Sequence, residues 1–198
     1  MMLQISDWLL LNWIELTGAV TGIIGVWLTT KQIIWCWPVA LINVIFYIYI
    51  FFVSKLYADF GLQIFYLVMT LYGWYNWLWG GENRTELKVT HIKRSLLIFC
   101  LITGTIGFLI SGFLLNEYTD AAFPFIDSLI AVWGIIGTFL MAKKIIEHWL
   151  IWIIVDIIAT IIYLAKELDL TAGLYFIFTL LAASGYFKWK KDLKTITC

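Results

Sequence analysis

Long apolar stretches separated by short polar breaks set the pattern of this chain. Seven are long enough to consider as membrane-crossing helices: residues 8–28, 34–53, 60–79, 95–115, 123–141, 148–165 and 172–189. A helix needs about 20 apolar residues to cross the hydrocarbon core of a bilayer. The stretches are continuously apolar and do not alternate, so they predict helices and not barrel strands. The widest polar break, GGENRTELKVTHIKR at 80–94, predicts a loop. The first stretch lacks a basic n-region and a small-residue cleavage site, and it reads as a retained span.

Composition narrows the class. Of 198 residues, 63% are hydrophobic and 13% charged, where a soluble domain carries about 25% charged residues. So few charges cannot cover the surface of a soluble fold. A soluble globular domain, a nucleic-acid binder and a disordered chain are excluded. Cys36, Cys100 and Cys198 show neither metal spacing nor a disulfide frame, and read as small apolar fillers.

The net charge is zero, yet the placement of the charges is informative. Seven spans put Lys31, Arg84, Lys88, Lys93, Arg94, Lys143, Lys144, Lys188, Lys190, Lys191 and Lys194 on one side, eleven in all, and only Lys55 and Lys166 on the other. The positive-inside rule then predicts a cytoplasmic C-terminus and an outer N-terminus.

Sliding the chain on itself by 112 residues brings like residues together without a gap. Glu15 meets Asp127, Gly22 meets Gly134, Gly25 meets Gly137, Lys31 meets Lys143, and Trp37 meets Trp149. Gly73 to Trp77 (GWYNW) meets Gly185 to Trp189 (GYFKW). The expected division is a first three-helix repeat at 1–79, a cytoplasmic loop at 80–94, a connecting helix at 95–115, a second repeat at 116–189 and a tail at 190–198. One connecting span makes the repeats parallel, related by an axis along the membrane normal. Parallel repeats of this kind occur in transporters, with the substrate site near the midplane between the halves.

Polar groups at membrane depth mark where such a site would lie. Asp156 is near the middle of the sixth stretch, with Trp152 four residues and Trp149 seven residues before it on one helix face. A carboxylate with aromatic walls suits a flat cation. The plainer alternative is that Asp156 bonds a neighbouring helix and the tryptophans are interfacial. The second stretch offers Trp37, Asn43 and Tyr47 on one face, with Asn43 either touching substrate or joining helices. The third offers Gln63, Tyr66, Thr70, Gly73 and Trp77, and Tyr175 is the counterpart of Gln63 in the last stretch. Trp77 and Trp189 stand at helix ends as membrane anchors or, in the sharper reading, gates. Glu15 and Asp127 stand at the opposite ends, to neutralise a cation at the mouth or to cap polar loops. No Walker loop, HExxH, GxSxG or CxxC is present, so neither an ATPase engine nor an enzyme is expected, and no cofactor or metal.

These residues resemble the PnuC family of bacterial vitamin transporters. The resemblance rests on WIELTGAVTGIIGV, LINV around Asn43, KLYADFGLQIFY, GWYNW, AAFPFIDSL, MAKKIIEHWLIW, and Gly185 followed by Trp189. It implies an all-α membrane protein of seven transmembrane helices in a 3+1+3 arrangement, similar to sugar transporters of the SWEET type. It implies facilitated diffusion of a vitamin precursor across the bacterial inner membrane, most often nicotinamide riboside, trapped inside by phosphorylation, and a trimeric homo-oligomer. Trp149 and Trp152 look like the family's aromatic pair, and Asn43 and Gln63 like its polar contacts. The nicotinamide riboside type resembles WxxWxxxN, whereas this chain has Asp156 at the last position, so thiamine is the alternative substrate. A lipid-modifying enzyme and a structural subunit of a larger transporter are the competing classes.

Overall fold

A computed structural model describes residues 17–53, 55, 57–120 and 122–196. Their seven α-helices are α1 (Thr17–Thr30), α2 (Cys36–Val53), α3 (Tyr57–Trp79), α4 (Arg94–Tyr118), α5 (Pro124–Ala142), α6 (His148–Ala165) and α7 (Asp169–Ile196). The expected all-helical membrane fold is what the chain forms. By length and composition, α2, α4, α5, α6 and α7 could each cross a bilayer. Two helices are missing from that set: α1, which is apolar but shorter, and α3, which carries Gln63, Tyr66, Thr70 and Asn76 among its apolar residues. The last helix runs past the apolar stretch that ends at 189. The segment KWKKDLKTI holds no Gly or Pro to end the helix, and α7 continues to Ile196.

Helices end where a residue turns left-handed. Gln32, Lys55, Lys144 and Glu167 have φ of 56°, 58°, 49° and 58° just past the ends of α1, α2, α5 and α6. These are two pairs of positions 112 apart, and the positive φ closes the last helical turn. The packing recurs at the same offset. Gly25 lies under Val39 as Gly137 lies under Ile151, and Gly22 faces Phe178 as Gly134 faces the Tyr66 hydroxyl. The long helix α4 packs on α5, its Gly104 against Trp133 and Ile136 and its Gly112 against Phe125.

The loop after α3 is not a free loop. A 3-10 turn at Glu82–Arg84 leads into a stretch that crosses to the turn between α5 and α6. The Thr90 N–H donates to Lys144 O at 3.0 Å, and the Ile146 N–H donates to Thr90 O at 3.0 Å. Glu147 accepts from the Ile92 N–H at 2.9 Å and pairs with His91 at 2.7 Å. This strap marks one end of the bundle, called here the loop end.

Candidate functional site

Two sites with different characters emerge along the bundle axis. Asp156 on α6 is 3% exposed, and among the described residues neither a donor nor a cation is paired with its carboxylate. Tyr175 on α7 lies within electrostatic reach of Asp156, Tyr66 and Tyr163, and its ring stacks on Tyr163 at 5.2 Å. Trp152, one turn away on α6, rests on the glycine face of α5 at Gly137 and Gly134, where the Tyr66 hydroxyl also arrives. The group Asp156, Trp152, Tyr66 and Tyr175 therefore brings an acid and three aromatic rings together from α3, α6 and α7. Gln63 is half-buried one turn from Tyr66 on α3.

Trp149 belongs elsewhere. Seven residues along a helix is about 10 Å of rise, and this places Trp149 in a cluster nearer the loop end. There Trp37 meets Trp77 at 5.3 Å, Trp77 meets Trp189 at 5.8 Å, and Trp189 meets Trp149 at 5.6 Å between ring centroids. His148 adds its ring at 4.4 Å from Trp149 and 4.9 Å from Trp189. None of the four indoles is more than 2% exposed. Trp77 and Trp189 are thus interior groups and not interfacial anchors, because each indole N–H reaches a backbone carbonyl. Trp77 Nε1 donates to Met141 O at 3.0 Å, and Trp189 Nε1 donates to Thr29 O at 3.1 Å. Trp37 sits on Gly73, and Trp149 on Gly185. A Cβ at Gly185 would lie 2.6 Å from the Trp149 ring, and one at Gly73 would fall within the Trp37 ring.

Asn43 and Tyr47 do not join Asp156. Asn43 Nδ2 donates to Thr21 Oγ1 at 2.7 Å and to Gly18 O at 3.4 Å, and the Tyr47 hydroxyl abuts Gly18. At the 112-residue offset Asp156 aligns with Val44, not Asn43. One residue turns a helix by about 100°, so Asn43 faces α1. The helix-joining alternative describes its geometry. Asp127 lies at the end opposite the strap, 3.9 Å from Lys166, whose amine also stands over Phe123. Glu15 lies outside the described residues.

Sequence reasoning missed three groups in the tryptophan cluster. His148, the first residue of α6, is fully buried, its Nδ1 2.7 Å from Ile145 O. Asn76 Nδ2 donates to Ala142 O at 2.9 Å. Lys144 is 2% exposed, with its ammonium 4.6 Å from the Trp77 ring centre and 3.6 Å from Glu86. Burial lowers its pKa below the ordinary 10.5, against the pull of Glu86. A cavity of about 210 Å³ opens beside it, lined by Gln32, Glu86, Leu87, Lys88, Val89, Lys144 and Asp192. The signal for these residues was available in the 112-residue offset, since Asn76 pairs with Lys188 and Gln32 with Lys144.

Fold and site define a small, all-helical, multi-span membrane protein that encloses an acid and aromatic rings between its helices. A family model described as nicotinamide mononucleotide transporter matches residues 12–191. The nicotinamide riboside transporter PnuC of Escherichia coli (strain K12) is 30% identical over 204 residues, spanning 90% of this chain and 85% of that protein. The riboflavin/roseoflavin transporter RibM of Streptomyces davaonensis is 25% identical, spanning 89% of this chain and 84% of that protein. A crystal structure of the vitamin B3 transporter PnuC covers 93% of this chain and 83% of its own, with a TM-score of 0.72 at 24% identity, and shows the shared fold. The chain belongs to the nicotinamide mononucleotide transporter family, that of the PnuC proteins. It is a membrane transporter of the vitamin-carrying class, and not an enzyme.

Proposed function

We propose that the protein carries a flat cationic vitamin, nicotinamide riboside, across the bacterial inner membrane by facilitated diffusion. Phosphorylation in the cytoplasm then traps the substrate. The observation that carries this reading is Asp156, buried at 3% exposure inside a span with no paired cation among the described residues. An uncompensated buried carboxylate is costly, and a pyridinium ring between Trp152, Tyr66 and Tyr175 would compensate it. Each ring face adds about 0.5–2 kcal/mol of cation–π attraction. Gln63 is placed to bond the ribose or amide. The eleven basic positions on the strap side support a cytoplasmic loop end and C-terminus. The two triplets, 1–79 and 116–189, would move as units, in a homo-oligomer that the family resemblance makes trimeric.

Thiamine is the second reading, supported by the aspartate at 156 where the nicotinamide riboside type resembles WxxWxxxN. Its thiazolium suits the same cage. Calorimetric titration of the purified protein with nicotinamide riboside, nicotinamide mononucleotide, thiamine and riboflavin separates these. A cation should bind and riboflavin, which is neutral, should not. Asp156→Asn should weaken binding of the cation about tenfold or more, the size of one charge-assisted contact of about 1.5–3 kcal/mol. Tight riboflavin binding, or a cation affinity indifferent to Asp156→Asn, would overturn the charge argument. Accumulation in liposomes loaded with a kinase for the bound vitamin tests the trapping step.

A further inference from the structure

The five described side-chain hydrogen bonds that join residues 17–79 to residues 116–196 all lie at the loop end. Four of them form two matched pairs. Trp77 Nε1 to Met141 O is repeated 112 residues on by Trp189 Nε1 to Thr29 O. Asn76 Nδ2 to Ala142 O, at 2.9 Å, is repeated by Lys188 Nζ to Thr30 Oγ1, at 3.3 Å. In each pair the third helix of one triplet donates to the end of the first helix of the other. Carbonyls in the last turn of a helix lack intrahelical partners and carry the negative end of its dipole, so donors are favoured there.

The same cluster leaves polar atoms unpaired. Trp37 Nε1, Trp149 Nε1 and His148 Nε2 are buried without a hydrogen-bond partner. Two of these are again matched positions. Buried polar groups in a permanently closed core are nearly always satisfied. These three atoms sit beside the four matched cross-bonds, at the same end of the bundle.

We propose that Trp77 and Trp189 are paired latches of a gate at the loop end, and that this gate is shut in the present structure. The proposal rests on the transporter reading above and goes beyond it by naming the residues that hold one side closed. The closed gate gains the indole-to-carbonyl bonds and the ring contacts. The open gate gains water on Trp37, Trp149 and His148. These opposing terms keep the two states close enough to exchange, as alternation between triplets requires. The strap makes the gate asymmetric. Leu87 N–H bonds Trp77 O, and Glu86 holds Lys144 against the Trp77 ring, whereas on the Trp189 side, which the strap does not reach with a described backbone bond, Gln32 Nε2 donates to Asp192 Oδ2.

Cys36 is a built-in reporter, 3% exposed within the tryptophan cluster. With Cys100→Ala and Cys198→Ser, its rate of alkylation by N-ethylmaleimide in liposomes measures opening. Trp77→Phe or Trp189→Phe removes an N–H and keeps a ring, and each should raise that rate about fivefold, the double variant about 25-fold. Asn76→Ala and Lys188→Ala, which touch no ring, should each raise it about threefold and serve if the tryptophan variants do not fold. Cys100, on α4 outside the cluster, reports global loosening in a matched Cys36→Ala, Cys198→Ser protein. An unchanged Cys36 rate, or an equal rise at Cys100, overturns the latches. The assay uses no substrate, so failure of the vitamin titrations leaves it standing, and its own failure leaves them standing.

Discussion

Two glycines show how tightly the interior is set. Trp37 and Trp149 each pack against the backbone of a neighbouring helix, at Gly73 and Gly185, and a Cβ at either would come closer than 3.0 Å to ring atoms. Gly185→Ala should therefore destabilise the protein by about 1–3 kcal/mol, the usual cost of overpacking a core. Gly61 and Gly173, with nothing within 4 Å of an added Cβ, lie on the same two helices, α3 and α7. Alanine at either should raise stability by up to about 1 kcal/mol, because glycine is the weaker helix former. Thermal unfolding in detergent, followed by tryptophan fluorescence, should move in opposite directions for the two kinds of variant. Two falling curves would mean that Gly61 and Gly173 are seats as well. Asp156 was legible at this scale from a lone acid in an apolar run. Lys144 was not, because a lysine beside a turn reads as solvated until the strap and Trp77 are seen to cover it.

Between the helices the recurring device is the left-handed residue that ends a span. None of the four such positions identified here is glycine, and a left-handed L-residue costs about 1–2 kcal/mol. Glu167 is exposed and φ there is 58°, so Glu167→Gly should stabilise by about 0.5–1 kcal/mol, net of the greater backbone entropy of glycine. A lower melting temperature would show that its side chain does something unseen in these contacts. Lys144 at the end of α5 adds a pH dependence. Its ammonium is disfavoured by burial, so the unfolded chain binds that proton more tightly than the folded one. Stability must then rise as the pH climbs through the lowered folded pKa toward the ordinary 10.5. Unfolding midpoints compared between the native chain and Lys144→Met should show the native chain gaining relative to the variant over that range, and parallel curves would contradict it. The helices themselves were legible because apolar length is a local property. Their last turns were less so: α7 runs on to Ile196 through lysines that look like a tail.

At the scale of the whole molecule, the charge pattern and the packing point the same way. The end rich in Lys and Arg is the end closed by the strap, the tryptophan cluster and the cross-bonds. A fluorescent protein fused after Cys198 should be bright in cells, and alkaline phosphatase fused there should be inactive, if that end is cytoplasmic. The reverse pair of results would invert the orientation and place the closed gate outside.

Sequence alone was enough for the class of protein, its helices, its family and the 112-residue offset, because hydropathy runs and matched residues are read along the chain. It also picked out Asp156, whose burial follows from its place in an apolar span. What it could not decide was which groups share a volume. Trp149 and Asp156 share a helix face but stand about 10 Å apart along it. Asn43 and Asp156 align almost to the residue, yet one residue of helical rotation sends Asn43 to α1. Trp77 and Trp189 look like anchors until Met141 O on α5 and Thr29 O on α1 come within reach. Those pairings depend on how the helices rotate and approach one another, and only tertiary packing sets that.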